Sequence, residues 1–136
     1  MASRIFISHA SKDNDLAEAI RRRLAQEDYK VFSANDILLG EDWAAAISNA
    51  LATSDAMVVL LSPEAVESPN VIHEISFALG SANYKGRIFP VLVRRTENIP
   101  WFLTTMHLID VTKQPDPKGA GETVAREFRR LERRAG

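Results

Sequence analysis

Two hydrophobic patterns alternate along the chain. Short runs of β-branched, aromatic and aliphatic residues predict strands, whereas longer stretches with an apolar residue at every third or fourth position predict helices. The predicted strands cover residues 4–8, 29–33, 56–61, 88–93 and 107–111. The predicted helices cover residues 13–27, 43–53, 69–82 and 121–134.

The order of these elements predicts the fold. Strands that alternate with helices form a parallel sheet with helices on both faces. The run at residues 56–61 is apolar throughout, which is typical of a central parallel strand. We therefore predict an α/β fold, a flavodoxin-like three-layer sandwich whose five-stranded parallel sheet has the order 2-1-3-4-5. With 136 residues, the chain is expected to form one domain over residues 1–136.

This sheet order also predicts where a ligand would bind. Open parallel sheets bind ligands outside the carboxyl ends of their strands, where the strand order reverses. Here that point lies between strands one and three. The segments expected there are residues 8–11, the turn-rich loop at 35–43, and Ser62-Pro63 with the start of the next helix.

Glu74 lies on that next helix, at the edge of its apolar stripe. The stripe consists of Val71, Ile72, Ile75, Ala78, Leu79 and Ala82. The pattern leaves two interpretations of Glu74 open. It is either a solvated residue on the flank of the helix or a carboxylate that points into the cleft.

Composition excludes several classes of protein. A net charge of −1 argues against a uniformly basic nucleic-acid binder. The absence of cysteine removes disulfides, thiolate metal sites and a cysteine nucleophile, and it is compatible with a cytoplasmic location. No secretory signal is visible, and no apolar stretch is long enough to span a bilayer, so no membrane contact is expected.

Two nucleotide-binding classes and one signalling class with the same architecture do not fit the motifs. The chain lacks G-x-G-x-x-G and the phosphate-binding loop, which argues against a dehydrogenase and a nucleotide triphosphatase. A two-component receiver needs an aspartate at the end of strand three, where this chain has Leu61-Ser62-Pro63.

We first interpret the histidines and tryptophans as structural residues rather than as parts of a site. The three histidines are scattered without ligand spacing, so no metal site is expected. His9 is expected to form a local hydrogen bond, His73 to face solvent, and His107 to play a structural part at the start of strand five. Trp43 is expected to pack in the core, and Trp101 with Phe102 to pack under a loop.

Four segments, in order, resemble those of a known family. Residues 6–13 are similar to its opening box, and residues 33–43 to its BB loop with Gly40 before a helix. Ser62-Pro63 after an apolar strand, followed by a helix that bears His73-Glu74-Ile75, is similar to its third unit. Pro100-Trp101-Phe102 is similar to its late aromatic box, with the aromatic order reversed. Together, over residues 4 to about 112, the set resembles the TIR (Toll/interleukin-1 receptor) domain, particularly its bacterial members.

The resemblance implies a function and a set of residues. Some TIR domains are adaptors, and others cleave NAD+ at the nicotinamide–ribose bond to give ADP-ribose or a cyclic isomer. The enzymes use a glutamate in the third helix, a position that Glu74 matches. NAD+ is then the substrate, and neither a cofactor nor a metal is implied. The residues expected to line the dinucleotide cleft are Ser8, His9, Ala10, Ser33, Asp36 and Trp43.

One position departs from the enzymatic pattern. Many enzymatic members carry a tryptophan four residues before the glutamate, where it can stack on the substrate. This chain has Asn70 there, and Trp43 is an aromatic residue that could substitute for the missing ring.

The alternative function is a scaffold that assembles with other TIR domains into a homo-oligomer or filament. Its expected contact is the assembly loop, whose tip is Ile37, Leu38, Leu39 and Gly40. An exposed apolar tip is typical of a partner site, although it could instead fold over the core. The end of the chain just past a helix is compatible with excision from a longer protein that has a sensing domain, as in antiphage defence.

Overall fold

A computed structural model describes residues 4–33, 42–114 and 116–135, with side chains up to residue 133. Its sheet has five strands in the order β2-β1-β3-β4-β5, and all paired strands are parallel. The strands are β1 (Arg4–Ser8), β2 (Lys30–Phe32), β3 (Ala56–Leu61), β4 (Ile88–Leu92) and β5 (Ile109–Asp110). The predicted fold class and strand order are confirmed.

Helices cover both faces of the sheet. They are α1 (Asn14–Ala25), α2 (Trp43–Thr53), α3 (Pro63–Val66), α4 (Pro69–Leu79), α5 (Trp101–Thr104) and α6 (Pro117–Ala135). Short 3-10 turns at Ser11–Asp13 and Ala82–Tyr84 precede α1 and follow α4. None of the helices in the described parts of the chain is long and apolar enough to cross a membrane.

The central strand β3 belongs to two cores, as its unbroken apolar sequence predicts. Successive side chains of a strand point to opposite faces. Val58 therefore packs with α1 and α6 on one face, and Val59 packs with α2 and α4 on the other. All six residues of β3 are buried, and the carboxyl end of the strand emerges between two polar segments.

One helix was not predicted, and another begins earlier than the pattern of apolar residues alone indicates. Ser62 Oγ accepts a hydrogen bond from the Ala65 amide and caps α3, a helix that was not predicted. The final helix begins at Pro117 rather than Gly121, because Asp116 Oδ1 accepts from the Gly119 amide in the first turn. Both helices start with a cap followed by proline, the signal already recognised at Ser68-Pro69.

The third predicted helix ends earlier than expected. It stops at Leu79 with Gly80 as its C-cap, and Leu79 itself is exposed. The Ala82–Tyr84 turn then buries Tyr84, whose hydroxyl donates a 2.7 Å hydrogen bond to the Leu51 carbonyl. The sequence analysis missed this anchor.

The packing predictions for Trp43 and Trp101 and the predicted position of His107 were wrong. Trp43 is 45% exposed, because the first residue of α2 lies beyond the part of the helix that packs on the sheet through Ile47 and Leu51. Trp101 is 76% exposed, while Phe102 packs partly against the core. His107 is also exposed and precedes the strand, since β5 begins only at Ile109.

Candidate functional site

The carboxyl end of β1 meets the first half of α4 at the predicted point of strand-order reversal. Ser8 is the last residue of β1 and is paired in the sheet with Val59 of β3. Its hydroxyl donates a 2.7 Å hydrogen bond to Oε1 of Glu74, which is only 6% exposed. Glu74 is therefore not a solvated residue on the helix flank.

The Glu74 carboxyl group is unusual in its electrostatics. Burial raises the pKa of Glu74 from an ordinary value of 4.5 to about 7, and the hydrogen bond from Ser8 opposes part of this rise. No lysine, arginine or histidine of residues 4–33, 42–114 or 116–133 forms an ion pair with Glu74. The Glu74 carboxyl group is therefore more easily protonated near neutral pH than an exposed glutamate.

His9 and Ala10 continue the chain from Ser8. The Nδ1 atom of His9 lies 2.8 Å from the Ala10 carbonyl oxygen, which confirms the predicted local hydrogen bond. A carbonyl only accepts, so Nδ1 carries a proton and Nε2 is left as an acceptor in the neutral ring. Nε2 is buried and has no hydrogen-bond partner among the residues that the structure describes.

The second predicted segment of the site is described only at its two ends. Ser33 is buried directly after β2. Trp43 begins α2, and the preceding Asp42 caps the helix, as predicted, by accepting from the Ala45 amide at 3.2 Å. Asp36 and the assembly-loop residues Ile37, Leu38, Leu39 and Gly40 lie outside the described residues. Their predicted roles stay predictions.

Asn70 stands at the position where many enzymatic members carry a tryptophan. It is the second residue of α4, one turn before Glu74, and it is exposed. It therefore offers a polar, solvent-facing side chain at this point.

The structure brings together a second polar group that the sequence analysis missed. The Asp13 carboxylate accepts a 2.7 Å hydrogen bond from the Ser62 hydroxyl and a 2.6 Å bond from Nη1 of Arg94. Nη2 of Arg94 donates to Oε1 of Glu64. We call these four residues, Asp13, Ser62, Glu64 and Arg94, the Arg94 network. Each residue follows the carboxyl end of a strand, so the rule that located Glu74 could also have found them.

A cavity of about 730 Å³ lies elsewhere, near the amino end of β4. It is bounded by Leu79, Tyr84, Ile88, Met106 and His107, among others, and includes none of the predicted site residues. The candidate site is therefore identified by its buried carboxylate and its position in the fold rather than by the volume of a cavity.

A family model for the TIR domain matches residues 5–125. The chain belongs to the TIR domain family. TIR domains act in signalling and interact with other TIR domains. The resemblance seen in the sequence is thereby confirmed at the level of the family.

Solved structures support the fold of this TIR domain. One similar structure is the TIR domain of the Toll-related receptor TRR-2 from Hydra magnipapillata, with a TM-score of 0.71 and 22% identity. The match covers 92% of this chain and 97% of that one. A diflavin flavoprotein A3 from Nostoc sp. matches with a TM-score of 0.57 and 15% identity, over 100% of this chain and 99% of that one. No curated protein matches the chain.

Proposed function

We propose that this TIR domain cleaves NAD+ at the nicotinamide–ribose bond, with Glu74 as the catalytic carboxylate. The products are nicotinamide and either ADP-ribose or a cyclic isomer of it. One observation carries the proposal. Glu74 is a buried carboxylate whose one hydrogen-bond partner among the described residues is the Ser8 hydroxyl, and it lies at the strand ends where α/β sheets of this order bind ligands.

The chemistry needs little more than such a group. The nicotinamide ring of NAD+ is already cationic, so it leaves as a neutral base when its bond to ribose breaks. The ribose then develops the positive charge of an oxocarbenium ion, as in glycoside cleavage. Water adds to the anomeric carbon and loses a proton to give ADP-ribose, or a base nitrogen of the same dinucleotide adds there and a proton is lost to give the cyclic isomer. An ionised carboxylate held in a low-dielectric site stabilises this charge more than water does.

The pKa of Glu74 sets an expected pH dependence. The ionised carboxylate is the form that stabilises the developing cation, and the pKa of the group is about 7. Nicotinamide release should therefore rise with pH through about 7 and level off above it.

The neighbouring residues receive supporting roles in the proposal. Ser8 orients the Glu74 carboxyl group through its hydrogen bond. His9 and Ala10 line the cleft from the first loop. The proposal also assigns Ser33, Asp36 and Trp43 to the dinucleotide site, and the exposed ring of Trp43 is available for stacking.

The decisive experiment measures nicotinamide release from NAD+ by the purified domain at high concentration. Glu74→Gln keeps the shape of the side chain and removes the charge, and we expect a loss of about 100-fold or more. Glu67→Gln is the matched control, because Glu67 lies nearby at the end of α3 and is exposed. Full release by Glu74→Gln would exclude the assignment.

A second function is a non-catalytic scaffold that signals by assembly with other TIR domains. Membership of the family favours it, and so does the exposed ring of Trp43, which lies two residues after the undescribed segment 34–41. Light scattering of the wild type and Leu38→Asp tests the assembly loop. An unchanged assembly size in the variant would exclude that loop as the contact.

The two functions are compatible, because assembly can activate cleavage. We propose immune signalling such as antiphage defence as the setting, with a fused or separate sensing domain as the trigger. Release that appears only at concentrations where scattering shows assembly would support this combination.

A further inference from the structure

The first loop, residues 9–13, is fixed at both of its ends. At the near end, Ser8 is held by its pairing with Val59 and by its hydrogen bond to Glu74. At the far end, Asp13 is held by the Arg94 network. Between the two ends, the Asp13 amide donates a 2.9 Å hydrogen bond to the Ala10 carbonyl.

The hydrogen bonds of Asp13, at the far end of the loop, join segments that follow three different strands. Asp13 follows β1, Ser62 follows β3, and Arg94 follows β4. The Ser62 hydroxyl serves twice, since it donates to Asp13 and accepts from the Ala65 amide of α3. The loop after β1 is therefore tied to segments that extend from the opposite side of the cleft.

Asp13 and Arg94 differ in how far they are exposed to solvent. Asp13 is only 3% exposed, whereas the Arg94 side chain is 41% exposed. Arg94 thus closes over Asp13 from the solvent side and supplies the only cation that pairs with it among the described residues. Without Arg94, a buried carboxylate would be left with one hydroxyl, and the loop would have to move to hydrate it.

The network does not reach the reacting group. The contacts of Arg94 with other side chains in the described parts of the chain are those to Asp13 and Glu64. Ser8 belongs to the sheet and would keep its hold on Glu74 if the loop moved. A disturbed network should therefore displace residues 9–12 and leave the Ser8–Glu74 pair in place.

We propose that Arg94, acting through Asp13, is a positioning residue that holds the first loop in the shape required to bind NAD+. This inference rests on the proposed function, because the bound dinucleotide is the one that Glu74 would cleave. It predicts an effect on substrate affinity that is separate from the chemical step.

The test compares Arg94→Met, Arg94→Lys and Arg130→Met with the wild type. Arg130 is a matched control, because its side chain is 45% exposed and pairs with Glu127 at 2.6 Å on α6. Two quantities are measured in the intact domain. One is the hydrogen-exchange rate of the Asp13 amide, and the other is the pair of constants kcat and KM for nicotinamide release.

In Arg94→Met we expect the Asp13 amide to exchange about tenfold faster, because the turn that it closes is no longer held. KM should rise about tenfold while kcat stays within about twofold, since misplaced binding groups weaken binding without altering Glu74. Arg94→Lys should fall between these values, because lysine keeps the charge near Asp13 and loses the fork that reaches Glu64. Arg130→Met should match the wild type in both measurements.

The inference is overturned if Arg94→Met leaves the exchange of the Asp13 amide or the KM at the Arg130→Met value. It is also overturned if only kcat falls, because Arg94 would then act on the chemical step. A wild type that is inactive even at concentrations where light scattering shows assembly would instead reject the proposed function, and the exchange rates alone would then decide whether Arg94 holds the loop.

Discussion

Two buried carboxylates lie at the same edge of the sheet, and the protein treats them in opposite ways. Among the described residues, Asp13 has a guanidinium and a hydroxyl as partners, whereas Glu74 has only the hydroxyl of Ser8. Their exposed fractions are similar, at 3% and 6%. The two groups therefore differ in the cation that pairs with Asp13 rather than in their burial.

The raised pKa of Glu74 makes the stability of the fold depend on pH. A carboxyl group whose pKa rises from 4.5 to about 7 on folding binds its proton more tightly in the folded state. Its contribution to stability is fully present below pH 4.5 and is lost as the pH rises through about 7. Above that pH, ionised Glu74 destabilises the fold by roughly 3 kcal/mol.

The largest effect is expected from Glu74→Gln. At pH 8, the variant should be more stable than the wild type by up to roughly 3 kcal/mol, because it removes a buried charge without a counterion. The gain should shrink as the pH falls through about 7 and vanish near pH 4.5. Urea unfolding at several pH values measures it. A stability difference that does not change with pH would contradict the assignment of Glu74 as the uncompensated group.

Asp13→Ala should have the opposite sign. The substitution leaves the Arg94 guanidinium and the Ser62 hydroxyl without their shared acceptor, so the free energy of unfolding at pH 8 should fall by about 2 kcal/mol. Glu67→Ala, at an exposed position, should change it by less than about 0.5 kcal/mol. If Asp13→Ala were as stable as Glu67→Ala, the contrast between the two carboxylates would disappear.

Ser8→Ala makes the Glu74 site still less polar. The hydroxyl of Ser8 lowers the pKa of Glu74, so its removal should raise that pKa further. The pH at which nicotinamide release is half-maximal should move upward, and stability at pH 8 should fall by about 1 kcal/mol. Carbon-13 titration of the Glu74 carboxyl group gives an independent reading. A downward shift would show that Ser8 does not favour the ionised form.

The smallest effect is expected from Lys12→Ala, at the outer rim of the Arg94 network. The Lys12 side chain is 69% exposed, and its nitrogen lies 3.4 Å from Oε2 of Glu64. An exposed ion pair contributes little to the free energy of unfolding, and added salt screens it. If Lys12→Ala lowered the free energy of unfolding as much as Asp13→Ala, the exposed Lys12–Glu64 pair would contribute as much to stability as the buried Asp13 contacts.

The sequence predicted the fold well because the fold depends on local periodicity. The unbroken apolar run of β3 and the spacing of apolar residues in α4 are visible within short windows. The site was only partly predictable. The spacing of α4 placed Glu74 at the edge of the stripe, but the partner that buries it lies 66 residues away along the chain.

The remaining errors have the same origin. The pairing of Asp13 with Arg94 spans 81 residues, so no local pattern could reveal it. Trp43 and Trp101 were expected to pack against other residues, but both are exposed. Periodicity put Trp43 on an apolar face, but it cannot show how far a helix extends past the sheet that it covers. Long-range packing decided each of these cases.

The two outer strands are the shortest elements of the sheet, with three residues in β2 and two in β5. A brief edge exposes few unpaired amide and carbonyl groups to a neighbouring molecule, so it is a poor template for cross-β growth. Concentrated solutions of the domain should therefore resist amyloid formation. We therefore expect an ordered polymer of the domain to form through side-chain surfaces and loops, with each subunit keeping its own sheet.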